Sequence, residues 1–225
     1  MSDRNVKFIN QYLQKTDEAL SRTVQNKSII TAASDRKRHA LLGGDKLSRQ
    51  ISRNRRLIAE YVNWRQRYIP RRTEDFLTSI LTLGEIAGLN LFPESSFRQW
   101  DYSGTHGIVF DIDELVAPSR ILSTLITFAS DLANRTPELA TGSGLSIVAG
   151  TEWDIAIGPI HPFYDGCGRI SRCFSTLLCL SFSLPIIWRG SREDYFSHAV
   201  RGRNDFMSYF VLCKRVGKDD VEFES

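Results

Sequence analysis

Twelve residues, His161-Pro-Phe-Tyr-Asp-Gly-Cys-Gly-Arg-Ile-Ser-Arg172, constrain this 225-residue chain more than any other stretch. They set an imidazole, a carboxylate, a glycine-flanked turn and two guanidinium groups in a fixed order. Pro162 disfavours helical backbone in the residue before it, so His161 is expected on an extended loop with its ring projecting. From Gly168 onward Ile170, Cys173, Phe174, Leu177, Leu178 and Cys179 recur at helical spacing, and Pro185 stops the run. The unit expected here is a loop, a tight turn and a buried helix.

That unit suits one kind of chemistry. An unperturbed imidazole titrates near about 6.5 and can take a proton from a hydroxyl. Phe163 can bury its ring and pin the loop. Asp165 offers the hard oxygen that Mg²⁺ prefers when it is held by one or two carboxylates and substrate phosphates. Gly166 and Gly168 leave room for backbone N–H groups to converge on an anion, at the positive end of a helix. Arg169 and Arg172 lie three residues apart and so share a face of its first turns. Singly, these are a loop histidine, an ordinary turn and solvated arginines. In this order they read as one polyphosphate site.

The segment resembles the Fic motif, HPFx(D/E)GNGRxxR, at every defined position but one. Its flanks agree: Phe97-Arg98 is similar to the family's FR before its β-hairpin, Ile108-Val109-Phe110 to a flap strand, and Pro118 opens a helix through roughly Ala133. Arg192-Glu-Asp-Tyr-Phe196 and Arg203-Asn-Asp205 resemble the closing helices, so the likeness covers roughly residues 73 to 215. The resemblance implies a mainly α fold with a small β-hairpin flap. It implies Mg²⁺-dependent transfer of a nucleotide monophosphate, usually AMP from ATP, onto a Ser, Thr or Tyr hydroxyl of a target protein. His161 would take the hydroxyl proton and Asp165 would hold Mg²⁺. Gly166, Cys167 and Gly168 would form the anion hole, and Arg169 and Arg172 would bind the β- and γ-phosphates. Thr105, His106, Gly107, Ile108, Val109 and Phe110 would pair with the target backbone as an added strand. Tyr195 is a nucleobase contact or, alternatively, a buried core tyrosine.

The departure is Cys167, where the family has asparagine. A thiol is a weak donor, and losing one positioned donor to developing charge typically costs about 100- to 1,000-fold in rate. A slowed enzyme, another transferred group (another nucleotide, phosphate or phosphocholine) and a pseudoenzyme that binds nucleotide or a partner all follow as readings. A thiolate nucleophile at the helix N-terminus, served by His161, is a further one. Many family members are held inactive by a glutamate in (S/T)xxxE(G/N) that pairs with the second motif arginine. That pattern does not occur here. The nearest stretch, Thr82-Leu-Gly-Glu85-Ile-Ala-Gly88, is one residue short, and Glu85 reaching Arg172 or a separate small inhibitory partner are the options left.

Charge divides the chain. Residues 1–72 carry 17 Lys/Arg against 6 Asp/Glu, whereas residues 73–225 carry 12 against 20. The first part is expected to be a basic N-terminal helical region and the second a Fic-like core. Around Arg53–Arg56 and Arg65–Arg67, the residues Leu57, Ile58, Tyr61, Val62 and Trp64 have helical spacing, so an amphipathic helix should end before Pro70. Its basic face is expected to be solvated while its apolar stripe packs on the core; nucleic acid, an acidic protein or an anionic membrane surface are the alternative partners. A short helix and a hinge are expected over Thr31–Lys46, and a loop over Ala140–Gly144 leads into a helix running towards His161.

The longest largely apolar stretch, Leu177–Trp188, is too short to span a membrane, and the polar opening residues hold no apolar signal core. The four cysteines, Cys167, Cys173, Cys179 and Cys213, have neither zinc nor disulfide spacing, and Cys173 and Cys179 read as small buried apolar residues. A reducing cytoplasm fits this usage; a secreted bacterial effector is the alternative.

Overall fold

A computed structural model describes residues 3–21, 44–87, 97–98, 115–163 and 166–216. The chain is mainly helical, with one small two-stranded antiparallel sheet among the described residues. Helices α1 (Asp3–Ser21), α2 (Gly44–Arg65) and α3 (Thr73–Ala87) precede a 3₁₀ turn at Pro118–Arg120 and α4 (Ile121–Asn134). A single turn, α5 (Thr136–Leu139), leads to α6 (Gly144–Ala156) and α7 (Cys167–Ser181). Strand β1 (Ile186–Ile187), α8 (Arg192–Ala199), α9 (Arg203–Leu212) and strand β2 (Arg215–Val216) follow. The strands pair Ile186 with Val216 and Ile187 with Arg215. The helices expected to start at Pro118, after Gly144 and after the glycine turn are all present. The hinge expected over Thr31–Lys46 falls mostly, and the flap at Thr105–Phe110 wholly, outside the described residues.

Helices α6 and α7 form the centre. Both are buried over most of their circumference, as expected of helices dominated by apolar and small residues, and their charged residues Glu152, Asp154 and Arg172 are paired. The outer helices bury one stripe each: Phe8, Ile9, Tyr12, Leu13, Thr16 and Leu20 on α1, and Ile121, Leu125, Ala129 and Leu132 on α4. In α2, Ile58, Ala59 and Val62 are buried and Tyr61 packs against the core, while Arg53 and Arg56 are exposed; Leu57 and Trp64, expected in the same apolar stripe, are exposed instead. The buried residues of α1 and α2 belong to the same hydrophobic cluster as those of α6 and α7.

A buried charge network ties α1 to this centre. Glu152 on α6 and Arg189 after β1 are 0% and 2% exposed and pair through Arg189 Nε at 2.7 and 3.0 Å. Arg189 also donates to Ser175 Oγ at 2.7 Å on α7 and to the hydroxyl of Tyr12 on α1. Tyr12 in turn donates to the Ile187 carbonyl at 2.7 Å. A charge so buried persists only when paired and hydrogen-bonded, and here both ions are.

Candidate functional site

The site begins where α6 ends. The last carbonyls of a helix have no intrahelical partner, and the Ala156 carbonyl lies 2.9 Å from His161 Nδ1. A carbonyl only accepts, so Nδ1 carries the proton and Nε2 keeps its lone pair. Burial, with the Arg98 guanidinium adding to it, pushes the His161 imidazole down to about 4 against the Ala156 hydrogen bond. The ring is neutral at pH 7 and able to accept a proton at Nε2.

His161 does not take the extended backbone expected from Pro162. Its φ is +29°, in the left-handed region, which costs a non-glycine residue on the order of 1–3 kcal/mol. Arg98 supplies the compensation. It is fully buried, its Nε donates to the His161 carbonyl at 2.9 Å, and its Nη2 donates to the Val116 carbonyl. Its own N–H donates to the Pro162 carbonyl at 2.9 Å. Phe97 bridges to Phe163 with ring centroids 6.0 Å apart, and the Phe163 ring lies directly over Gly84 of α3. The Phe97-Arg98 pair therefore holds the histidine loop from behind.

Gly166, at φ +85°, turns the chain into α7. Gly168 follows in the first turn, with Arg172 Nη1 folded back to 3.2 Å from where a Cβ would stand. Arg169, partly buried, is on the same turn. The structure thus brings Gly166, Gly168, Arg169 and Arg172 together at one helix N-terminus, as an anion cradle requires. Tyr164 and Asp165 lie outside the described residues, as do Thr105, His106, Gly107, Ile108, Val109 and Phe110. Among the described residues no group of three His, Cys, Asp or Glu is placed to hold a metal ion.

Two expected roles are corrected. The Cys167 side chain is 2% exposed and faces the preceding loop, not an anion: Phe163 N–H donates to Sγ and Sγ–H donates to the Phe163 carbonyl, both at 3.3 Å. Burial pushes its thiol up to about 12, so the thiolate nucleophile is excluded as well. Tyr195 is 1% exposed and donates to Glu152 Oε1 at 3.2 Å, so it is a core residue and no nucleobase reaches it.

The partner of Arg172 is Asp17, on α1. Arg172 Nη2 donates to Asp17 Oδ1 at 3.1 Å, and Arg55 of α2 approaches Oδ2 at 3.6 Å. Glu85, the carboxylate considered from sequence, is exposed on α3 and is not the one on Arg172. Nothing local marked Asp17, an ordinary acid in a polar helix. Glu152 did carry a signal: a lone carboxylate within Leu145-Ser-Ile-Val-Ala-Gly-Thr-Glu152 must be paired if that helix is buried. Arg203 and Asp205, at the closing helices, pair with Asp154 at 3.1 Å and His198 at 2.6 Å.

No protein-family model and no curated protein matches this chain. No helix among the described residues is long and apolar enough to cross a membrane.

Proposed function

We propose that this chain is a Fic-type protein nucleotidyltransferase that moves a nucleotide monophosphate, AMP from ATP, onto a protein Ser, Thr or Tyr hydroxyl. The observation that carries the reading is His161: a neutral imidazole whose Nδ1–H is fixed on the Ala156 carbonyl, so that Nε2 is the unprotonated nitrogen, just ahead in sequence of a glycine-turn helix N-terminus bearing two arginines. In the reaction the target hydroxyl oxygen bonds to the α-phosphorus and its proton passes to His161 Nε2. The bond from the α-phosphorus to its bridging oxygen breaks, and pyrophosphate leaves.

The α7 N-terminus and Arg169 hold the phosphates, with Arg172 joining them once Asp17 lets go. The two glycines and the charge of Arg169 and Arg172 at the start of α7 support this reading. Mg²⁺, when bound, would neutralise phosphate charge, and Asp165 is the residue assigned to it by the motif.

A second reading rests on Cys167. Its side chain is spent on the Phe163 backbone, so the anion hole lacks the amide donor that asparagine brings. Transfer of a different phosphate-containing group on the same fold is the reading this favours.

The test is transfer of label from several α-labelled nucleotides with Mg²⁺ into protein, with wild type and His161→Ala side by side. Labelling by wild type alone supports the transferase and identifies its donor. No labelling by either protein, alongside measurable nucleotide binding, overturns it in favour of another group or of a binding protein.

A further inference from the structure

At the corner between α2 and α3, far along the sequence from the histidine motif, three aromatic rings form a ladder. Tyr61 and Trp64 have centroids 6.1 Å apart, and Trp64 and Tyr68 5.7 Å. Trp64 is 48% exposed and Tyr68 58%, although α2 buries Ile58, Ala59 and Val62 on its other side. Tyr61 packs against the core, whereas Trp64 and Tyr68 stand outside it and face solvent.

The corner is held rigid by one carboxylate. Asp75 Oδ2 accepts from the backbone N–H groups of Arg71 and Arg72 at 3.1 Å each, and its Oδ1 pairs with Arg65 at 3.5 Å. Arg65 also donates to the Tyr68 carbonyl at 2.7 Å. Asp75 is therefore neutralised from within, Arg72 also approaching its Oδ2 at 3.8 Å; Arg72 lines the cleft with the rings, and Arg67 and Arg71 are exposed on the same stretch of chain. Between residues 48 and 75 the chain has eight arginines against three carboxylates. Trp64, Tyr68, Arg72 and Glu74 line an open cleft of about 390 Å³ here.

We propose that this corner binds single-stranded nucleic acid, with bases stacked on Trp64 and Tyr68 and backbone phosphates on Arg67, Arg71 and Arg72. Exposed rings at successive intervals beside arginines form a stacking platform for unpaired bases. An acidic protein surface would use the arginines and leave the rings idle. A membrane surface would draw on the exposed Leu57 and Ile69 as well as the rings, so equal competition by anionic phospholipid vesicles overturns the proposal.

The test is fluorescence anisotropy of end-labelled 12-nucleotide oligo(dT) and oligo(A) RNA with the full chain, across a salt series. Trp64→Ala and Tyr68→Ala each remove one platform; both residues are exposed, and thermal melting checks that the variants remain folded. Each should weaken binding by about 5- to 150-fold, the range for losing one base–aromatic stack. Arg71→Ser with Arg72→Ser should flatten the log–log salt slope by about 1.4. Arg169→Ala should bind as wild type does, which separates this site from the one at α7. Absence of saturable binding overturns the proposal. So does binding that ignores both ring variants, equal binding of a 12-base-pair duplex, or equal competition by a polyglutamate peptide of the same charge.

Discussion

Asp17 in the first helix holds Arg172 in the seventh at 3.1 Å, across 155 residues of chain. The guanidinium so engaged is the one assigned to a substrate phosphate, and its side chain is only 11% exposed. A carboxylate on that nitrogen and a phosphate on it are mutually exclusive. Under the proposed function the N-terminal helical region would compete with nucleotide for this guanidinium.

Asp17→Ala should tighten ATP binding, because Arg172 no longer has to break an ion pair to meet phosphate. The gain expected is about tenfold, at the lower end of what a hydrogen bond to a charged group contributes. Isothermal titration of ATP into wild type and variant measures it. Equal affinities would show that Arg172 does not reach the nucleotide.

His161 predicts an unusual acid limb. With its imidazole pushed down to about 4, transfer should hold its rate as pH falls from 7 to 5, where an ordinary histidine would lose it. The sign for stability is opposite. Between about 6.5 and 4 the unfolded chain binds a proton on this residue that the folded chain refuses, so His161 contributes a loss of stability as pH drops through that window. The pH–rate profile tests the first statement. The thermal midpoint of wild type against His161→Gln tests the second: the two should diverge below about pH 6.5.

Cys167 should resist alkylation. Burial pushes the thiols of Cys167, Cys173 and Cys179 up to about 12, whereas Cys213 is more exposed. Iodoacetamide at pH 7.5 should mark Cys213 first, read by peptide mass mapping. Cys167→Ala strips the Phe163 N–H and carbonyl of their partner and should cost about 1–3 kcal/mol, the penalty for an unsatisfied buried group. Early labelling of Cys167 would mean that the loop does not close on its sulfur.

Gly84 is the position where α3 meets the histidine loop. A Cβ there would stand 2.6 Å from ring carbons of the buried Phe163. Gly84→Ala gains about 1 kcal/mol of helix propensity but overpacks a closed contact, at about 1–3 kcal/mol. Net destabilisation is expected, with the histidine loop displaced. Denaturant titration reads the first effect and loss of transfer the second, and a stabilised variant would contradict the contact.

Local sequence determined most of the helices and the glycine turn that opens α7. Proline and glycine punctuation marked where α4, α6 and α7 begin, and apolar spacing marked what they bury, because both act within a turn or two of chain. The same local signals put the two glycines and the two arginines at one helix N-terminus, a few residues after His161. What the tertiary structure decided was each side chain's partner. The resemblance placed Cys167 in the anion hole and left Tyr195 as a nucleobase contact or a core tyrosine; packing turned the first onto the Phe163 backbone and sealed the second against Glu152. It also brought Asp17 to Arg172 and Arg98 to the back of His161, pairings that span 155 and 63 residues. Periodicity places a residue on a face, but which distant charge meets it depends on how whole helices pack, and a spacing along one helix carries no record of that.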